Sequence, residues 1–97
     1  MYRQGEIILK KIEIVKGKKL NHLVLAEGEV TNHKHQIIEG KAELYEDNGT
    51  LYLSVKSETA VLTHPDHKEV VLPKSDYEIT IQREYVVGDE KYRRVLD

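Results

Sequence analysis

Apolar and polar residues alternate along most of the chain with a period of two, which is typical of β-strands. The stretch YEITIQREY, residues 77–85, shows this pattern most clearly. Ile79 and Ile81 fall on one face of such a strand, while Glu78 and Thr80 fall on the other. No stretch of ten or more residues has the 3.6-residue period of a helix. The pattern therefore predicts an all-β fold.

The strongest local signal is the Asn48-Gly49 dipeptide in ELYEDNGTLYLSV, residues 43–55. Asn-Gly between two alternating segments predicts a β-hairpin with a two-residue type I′ turn. The cross-strand pairs that follow from this turn are Asp47 with Thr50, Tyr45 with Tyr52, and Leu44 with Leu53. The residues that then face the core are Ala42, Leu44, Leu51, Leu53 and Val55. The two tyrosines lie on the opposite face.

Further segments have the composition of short strands, and glycine or proline turn signals separate them. These segments are residues 6–15, 20–26, 33–38, 60–64, 68–72 and 91–96. Eight or nine short, mostly antiparallel strands with regular turns indicate a small β-barrel or a two-sheet roll. Because 97 residues leave no room for a second core, we expect a single β domain over residues 1–97.

The composition excludes several classes of function. The chain has no cysteine, which rules out disulfides and thiolate metal sites and fits a reducing cytoplasm. A formal charge of −2 is too balanced for general phosphate binding, so we expect no nucleic-acid partner. No segment has the roughly 20 apolar residues of a membrane helix, and no signal peptide is evident. We therefore expect a cytoplasmic protein with no membrane partner, and the high Lys and Glu content is compatible with a thermophile.

Four of the five histidines form two close pairs, His33 and His35 in TNHKHQIIEG and His64 and His67 in LTHPDHKE. An HxH pair on a strand puts both rings on one face, about 6–7 Å apart at Cα. Both rings can then reach one ion at about 2.0–2.1 Å. A turn at Pro65 can fold His67 back beside His64. The sequence predicts one divalent transition metal ion bound by these four histidines, with zinc as the leading candidate and nickel, iron or copper as alternatives.

Five further residues could contribute to such a site. Glu39, Glu27 or Glu29 could supply a carboxylate ligand or a general base. Asp66 could fix the tautomer of a neighbouring imidazole, or it could simply favour the turn. Arg83 could reach the mouth of a pocket that holds a small polar ligand, or its stem could cover apolar surface. No residue pattern identifies a catalytic group, so the sequence leaves open whether the protein is an enzyme.

An alternative interpretation is that the histidines bind no metal. Lys34, Asp66 and Lys68 lie close to the histidines, as expected if the histidines are solvated surface residues. In that case the protein would be an interaction module. Its exposed strand edges, or the surface around Tyr45 and Tyr52, would bind a protein partner, including a second copy of the chain.

One segment resembles a known metal-binding motif. GEVTNHKHQIIE, residues 28–39, is similar to the first cupin motif, in which a glycine precedes an HxH pair that is followed by a glutamate. The resemblance implies a cupin-like barrel in which His33, His35 and Glu39 bind a metal together with one more histidine. The second cupin motif is not reproduced, because HPDHKEVVLPKSDY lacks the glycine before its histidine.

The chain also resembles, along most of its length, a family of short uncharacterised microbial and phage proteins. The segments that carry this resemblance are RQGEIIL, LAEGEVTNHKH, LTHPDH and IQREY. It implies that the four paired histidines belong to the family pattern, and it implies no activity.

Overall fold

A computed structural model of the chain describes residues 1–27 and 33–82. These residues form ten strands and no helix. The strands are β1 (Tyr2–Gln4), β2 (Ile7–Ile12), β3 (Lys18–Lys19), β4 (Val24–Glu27), β5 (Lys34–Glu39), β6 (Ala42–Asp47), β7 (Thr50–Val55), β8 (Thr59–His64), β9 (His67–Pro73) and β10 (Asp76–Ile81). The described part of the chain contains no helix that could cross a membrane.

The strands pair in two antiparallel sheets. The larger sheet has the order β1-β2-β10-β7-β6-β3, and the smaller sheet has the order β4-β5-β8-β9. The predicted all-β class is therefore confirmed. The described strands number ten rather than eight or nine, and they form two open sheets rather than a closed barrel. The predicted strand over residues 91–96 lies outside the described residues.

The Asn48-Gly49 hairpin has the predicted geometry. Asn48 has a φ of 53° and Gly49 a φ of 85°, as a type I′ turn requires. The cross-strand pairs are Asp47 with Thr50, Tyr45 with Tyr52, and Leu44 with Leu53, as predicted. The local sequence therefore sets the register of β6 and β7.

The segment 20–26, predicted as one strand, does not form one strand. Leu20 N–H donates to Leu44 O at 2.7 Å in the larger sheet, whereas Ile37 N–H donates to Leu23 O at 3.0 Å in the smaller sheet. The chain therefore crosses from one sheet to the other between Leu20 and Leu23. The predicted strand therefore begins after β3, and only its last three residues, 24–26, lie in a strand, β4.

One hydrophobic cluster joins the buried faces of both sheets. Its buried members are Ile7, Leu9, Leu25, Ile37, Leu44, Leu53, Val55, Ala60, Leu62, Leu72, Tyr77 and Ile79. Each large apolar side chain contributes roughly 1.5–3 kcal/mol when it is fully buried. Tyr77 also satisfies its hydroxyl by donating to Pro73 O at 2.7 Å, and burial raises the pKa of Tyr77 to about 12.

Candidate metal centre

The strand order brings the two histidine pairs together at one end of the smaller sheet. β8 lies between β5 and β9, and His64 is the register partner of His67 across the turn. The distances between ring centroids are 4.3 Å for His35 and His64, 4.7 Å for His64 and His67, 5.8 Å for His35 and His67, and 5.9 Å for His33 and His64. We call these four residues the histidine cluster.

His35 is the most buried member of the histidine cluster, at 1% exposure, and Gln4 fixes its tautomer. The Nε2 amide group of Gln4 donates to Leu62 O at 3.0 Å and to Lys68 O at 2.8 Å. Both amide hydrogens are thereby used, so the Oε1 atom of Gln4 must be the atom that faces His35 Nδ1 at 2.8 Å. Oε1 can only accept, so Nδ1 of His35 carries the proton and Nε2 carries a lone pair.

The Nε2 lone pair of His35 faces a carboxylate. This buried atom has no hydrogen-bond partner among the described residues, and Glu6 Oε1 is 3.5 Å away. Burial and the neighbouring His64 lower the pKa of His35, so its ring is neutral at pH 7. Burial opposes ionisation of Glu6, but its backbone N–H and the facing histidines lower its pKa overall. Two acceptors therefore face each other in this part of the site.

Asp66 contacts two members of the histidine cluster. Its Oδ2 atom is 3.2 Å from His33 Nδ1, and since a carboxylate oxygen only accepts, this contact favours a proton on Nδ1 of His33. Its backbone N–H donates to His64 Nδ1 at 3.0 Å. The Nδ1 atom of neutral His64 is therefore an acceptor, and its proton lies on Nε2. The contacts thus favour a proton on Nδ1 in His33 and His35, but on Nε2 in His64.

The histidine cluster opens to solvent on one side. His35 is buried and His64 is half-buried, whereas His67 is exposed. The side chain of His33 is 37% exposed and that of Glu6 is 45% exposed. Glu6 lies in the turn between β1 and β2 of the larger sheet, so residues attached to both sheets line the site.

A glycine allows His67 to pack against the same turn. Gly5 has a φ of +60°, and a Cβ atom added there would lie 2.6 Å from His67 Nε2. The His67 ring therefore rests on the backbone of Gly5. A side chain at this position would push the ring aside.

The other predicted site residues lie elsewhere or outside the described part. Glu39 is exposed and lies four residues along β5 from His35, roughly 13 Å by strand rise, so the structure does not bring it to the histidine cluster. Glu27 is exposed at the end of β4. Arg83 and Glu29 lie outside the described residues. The fifth histidine, His22, accepts a hydrogen bond from Val24 N–H at 3.1 Å through its Nδ1 atom.

Gln4 and Glu6 are the residues that sequence reasoning missed. Gln4 reaches His35, Leu62 and Lys68 across sequence separations of 31, 58 and 64 residues. β1 has only three residues, too few for alternation to indicate a strand. The only sequence signal is RQGE, a polar run before the apolar positions of β2, and it does not specify a partner.

Within residues 1–27 and 33–82, no three His, Asp or Glu side chains are already arranged to hold a metal ion. Nδ1 of His64 already accepts a hydrogen bond from Asp66 N–H, and Nε2 of His67 packs against Gly5. Two imidazoles on one tetrahedral zinc ion have centroids about 5 Å apart. The four observed centroid distances, 4.3–5.9 Å, lie on both sides of this value.

The chain belongs to a protein family that is described only as a domain of unknown function, DUF8820. The family model matches residues 3–82, which include the histidine cluster, Gln4 and Glu6. The expected membership of an uncharacterised family agrees with this match. No curated protein and no solved structure matches the chain.

Proposed function

We propose that this protein binds one divalent transition metal ion at the histidine cluster. The donors are the Nε2 atoms of His33 and His35 and the carboxylate of Glu6 in the turn between β1 and β2, and His64 and His67 line the same site. Zinc suits a mixed set of imidazole nitrogens and a carboxylate oxygen, and nickel, iron(II) and copper are alternatives.

One observation carries the proposal, namely the buried lone pair on His35 Nε2 that faces Glu6 Oε1 at 3.5 Å. A buried acceptor without a partner costs about 1–3 kcal/mol, and an adjacent carboxylate increases this cost. A proton on Nε2 would relieve it, but burial and His64 lower the pKa of His35 and disfavour that proton at pH 7. A metal cation between the two atoms removes the conflict without protonating the ring.

The neighbouring hydrogen bonds support the proposal independently. Metal-bound histidines usually donate their second ring nitrogen to a carboxylate or carbonyl oxygen, which fixes the tautomer and the ring orientation. Gln4 has this relation to His35, and Asp66 has it to His33. The Gln4 contact therefore leaves Nε2 of His35 unprotonated before any metal arrives, and the Asp66 contact orients His33 with its Nε2 atom free to serve as a donor.

The test is metal analysis of protein that was purified without a histidine tag, followed by calorimetric titration with zinc. We expect one ion per chain in the wild type and in the control His22→Gln, because His22 lies outside the histidine cluster. His35→Gln should bind zinc about 100-fold more weakly or worse, which is at least the loss seen when outer partners of metal ligands are removed. Affinity should also fall below about pH 6.5, since protons compete with the ion.

Equal zinc affinity in His35→Gln and His22→Gln would contradict the proposal. So would a wild-type protein that takes up no zinc, nickel, copper or iron(II) at micromolar concentrations.

A metal-free interaction module is the second candidate function, and one observation favours it. Ile38 is 51% exposed and Val71 is 56% exposed on the outer face of the smaller sheet. Exposed apolar side chains on one sheet face are typical of surfaces that bind a protein partner, including a second copy.

Under this function the wild type should self-associate in sedimentation velocity and Val71→Lys should be monomeric. A monomeric wild type at all concentrations would argue against self-association.

A further inference from the structure

We infer that the metal centre keeps one coordination position for a small anionic oxygen ligand, such as a carboxylate, and that Nε2–H of His64 donates a hydrogen bond to this ligand. The inference rests on the proposed metal binding and assigns a ligand class to that site.

The available donors leave the ion incompletely coordinated. Gln4 fixes the tautomer of His35 with its Nε2 lone pair in the site, His33 can offer Nε2 while its Nδ1 atom contacts Asp66, and Glu6 adds one carboxylate. Zinc sites with three protein ligands keep a fourth position for water or substrate, whereas structural sites are closed by four. His67 would have to leave its packing against Gly5 before its Nε2 atom could close the shell.

His64 carries a proton where a metal ligand needs a lone pair. Its Nδ1 atom accepts from Asp66 N–H at 3.0 Å, so binding a metal through Nε2 would require a doubly deprotonated ring or loss of this hydrogen bond. His64 is nevertheless the central ring of the histidine cluster, since it lies 4.3–5.9 Å from each of the other three. Its chemistry in this position is that of a hydrogen-bond donor beside the ion.

The charge and the exposure of the site favour an anion. A divalent ion with two neutral imidazoles and one carboxylate keeps a net charge of +1. The open side of the histidine cluster, where His33 and Glu6 are partly exposed, gives a small ligand access from solvent. A donor N–H beside such an ion is complementary to an oxygen atom that carries negative charge.

The experiment uses cobalt(II), whose visible spectrum reports its coordination, and titrates the cobalt-loaded full chain with sodium acetate. Sodium perchlorate at the same ionic strength is the control for salt effects. Two variants separate the roles of the two His64 nitrogens. His64→Asn keeps an oxygen near the Nδ1 position for Asp66 N–H but removes the Nε2 donor, and His64→Gln keeps a donor near the Nε2 position.

We expect both variants to bind cobalt within about threefold of the wild type. Acetate should change the spectrum of the wild type in a saturable way, and perchlorate should not. His64→Asn should bind acetate about tenfold more weakly, which corresponds to one hydrogen bond to a charged group, and His64→Gln should retain most of the affinity.

The alternative outcomes are distinct. A loss of cobalt affinity of 100-fold in both variants would make His64 a metal ligand and overturn the inference. A wild-type cobalt spectrum that acetate does not change would also overturn it while leaving metal binding intact. Failure of the wild type to bind cobalt or zinc would overturn the proposed function, and this inference would fall with it.

Discussion

The two hairpins β6–β7 and β8–β9 have turns of equal length but different origins. Asn48 and Gly49 form their turn from backbone conformation alone, and a Cβ added at Gly49 would meet nothing within 4 Å. Neither Pro65 nor Asp66 has a positive φ, so the second turn is not of the I′ type. It instead has a register shift before His64, a hydrogen bond from the backbone N–H of Asp66 to His64 Nδ1, and a contact between the Asp66 carboxylate and His33 Nδ1.

The two hairpins also differ in where the hydrogen-bond partners of their polar groups lie. In the first hairpin, Tyr45 donates to Glu43 at 2.6 Å, and buried Ser54 donates to Asp76 at 2.7 Å. These groups are satisfied within the larger sheet. The second hairpin depends on β1 of the other sheet through Gln4, and His35 on the adjacent strand β5 still has an Nε2 atom without a partner among the described residues. The unsatisfied region is the candidate site, and the satisfied region is structural.

The largest stability effect should come from breaking the connection between the sheets at Gln4. Gln4→Leu removes the donor to Leu62 O and Lys68 O and the acceptor for His35 Nδ1–H. We expect it to lower the free energy of unfolding by about 2–4 kcal/mol, measured by urea denaturation in EDTA. Ser54→Ala, the matched change in the first hairpin, should cost only about 1 kcal/mol. Equal losses in the free energy of unfolding for Gln4→Leu and Ser54→Ala would contradict the proposed difference between the two hairpins.

The two glycine substitutions should differ in their effect on metal binding. Gly5→Ala places a methyl group 2.6 Å from His67 Nε2 and should displace that ring. We expect zinc affinity to change by severalfold, by about tenfold at most if only orientation is affected. Calorimetric titration would measure it. An unchanged affinity would mean that the ring position of His67 does not matter for the site.

Gly49→Ala should affect stability alone. Its φ of 85° disfavours any side chain, although the space around it is open. We expect a loss of about 1 kcal/mol in the free energy of unfolding and no change in zinc affinity. A change in zinc affinity would show that the first hairpin is coupled to the histidine cluster.

The smallest effect should be the pH dependence of the metal-free protein. The folded-state pKa of His35 lies below the unfolded value of about 6.5, because burial and His64 disfavour the charged ring. At pH values above 6.5 the ring is neutral in both states. Below about pH 6.5 the unfolded state binds the proton more readily than the folded state. The free energy of unfolding should therefore decrease as the pH decreases.

The urea midpoint in EDTA should therefore be lower at pH 5.5 than at pH 7.5, and His35→Gln should reduce this difference. His64 contributes in the same direction, since burial and His67 also lower its pKa. A midpoint that rises on acidification would contradict the assigned neutral state of these rings.

The sequence predicted the features that depend on near neighbours. Alternation indicated the strand class, and Asn48-Gly49 indicated a register that the structure confirms pair by pair. The short spacing around Pro65 predicted that His67 folds back beside His64, which is also confirmed. These features are local because turn chemistry and strand periodicity act over a few residues.

The sequence could not predict the features that depend on distant contacts. Motif spacing pointed to Glu39 as the carboxylate, whereas the carboxylate that faces His35 is Glu6, which lies 29 positions earlier in the chain. Gln4 was missed because its three partners lie on three other strands. The division of segment 20–26 depends on which sheet each end joins, and propensity does not encode this choice.

The most direct test of the central claim is imidazole ¹⁵N NMR of His35 in the metal-free and zinc-loaded protein at pH 7.5. The account predicts that metal-free His35 is neutral, with a proton on Nδ1 and none on Nε2, and that one equivalent of zinc shifts the Nε2 resonance and leaves the Nδ1 proton in place. A metal-free ring protonated on Nε2, or an Nε2 resonance that zinc does not move, would contradict it.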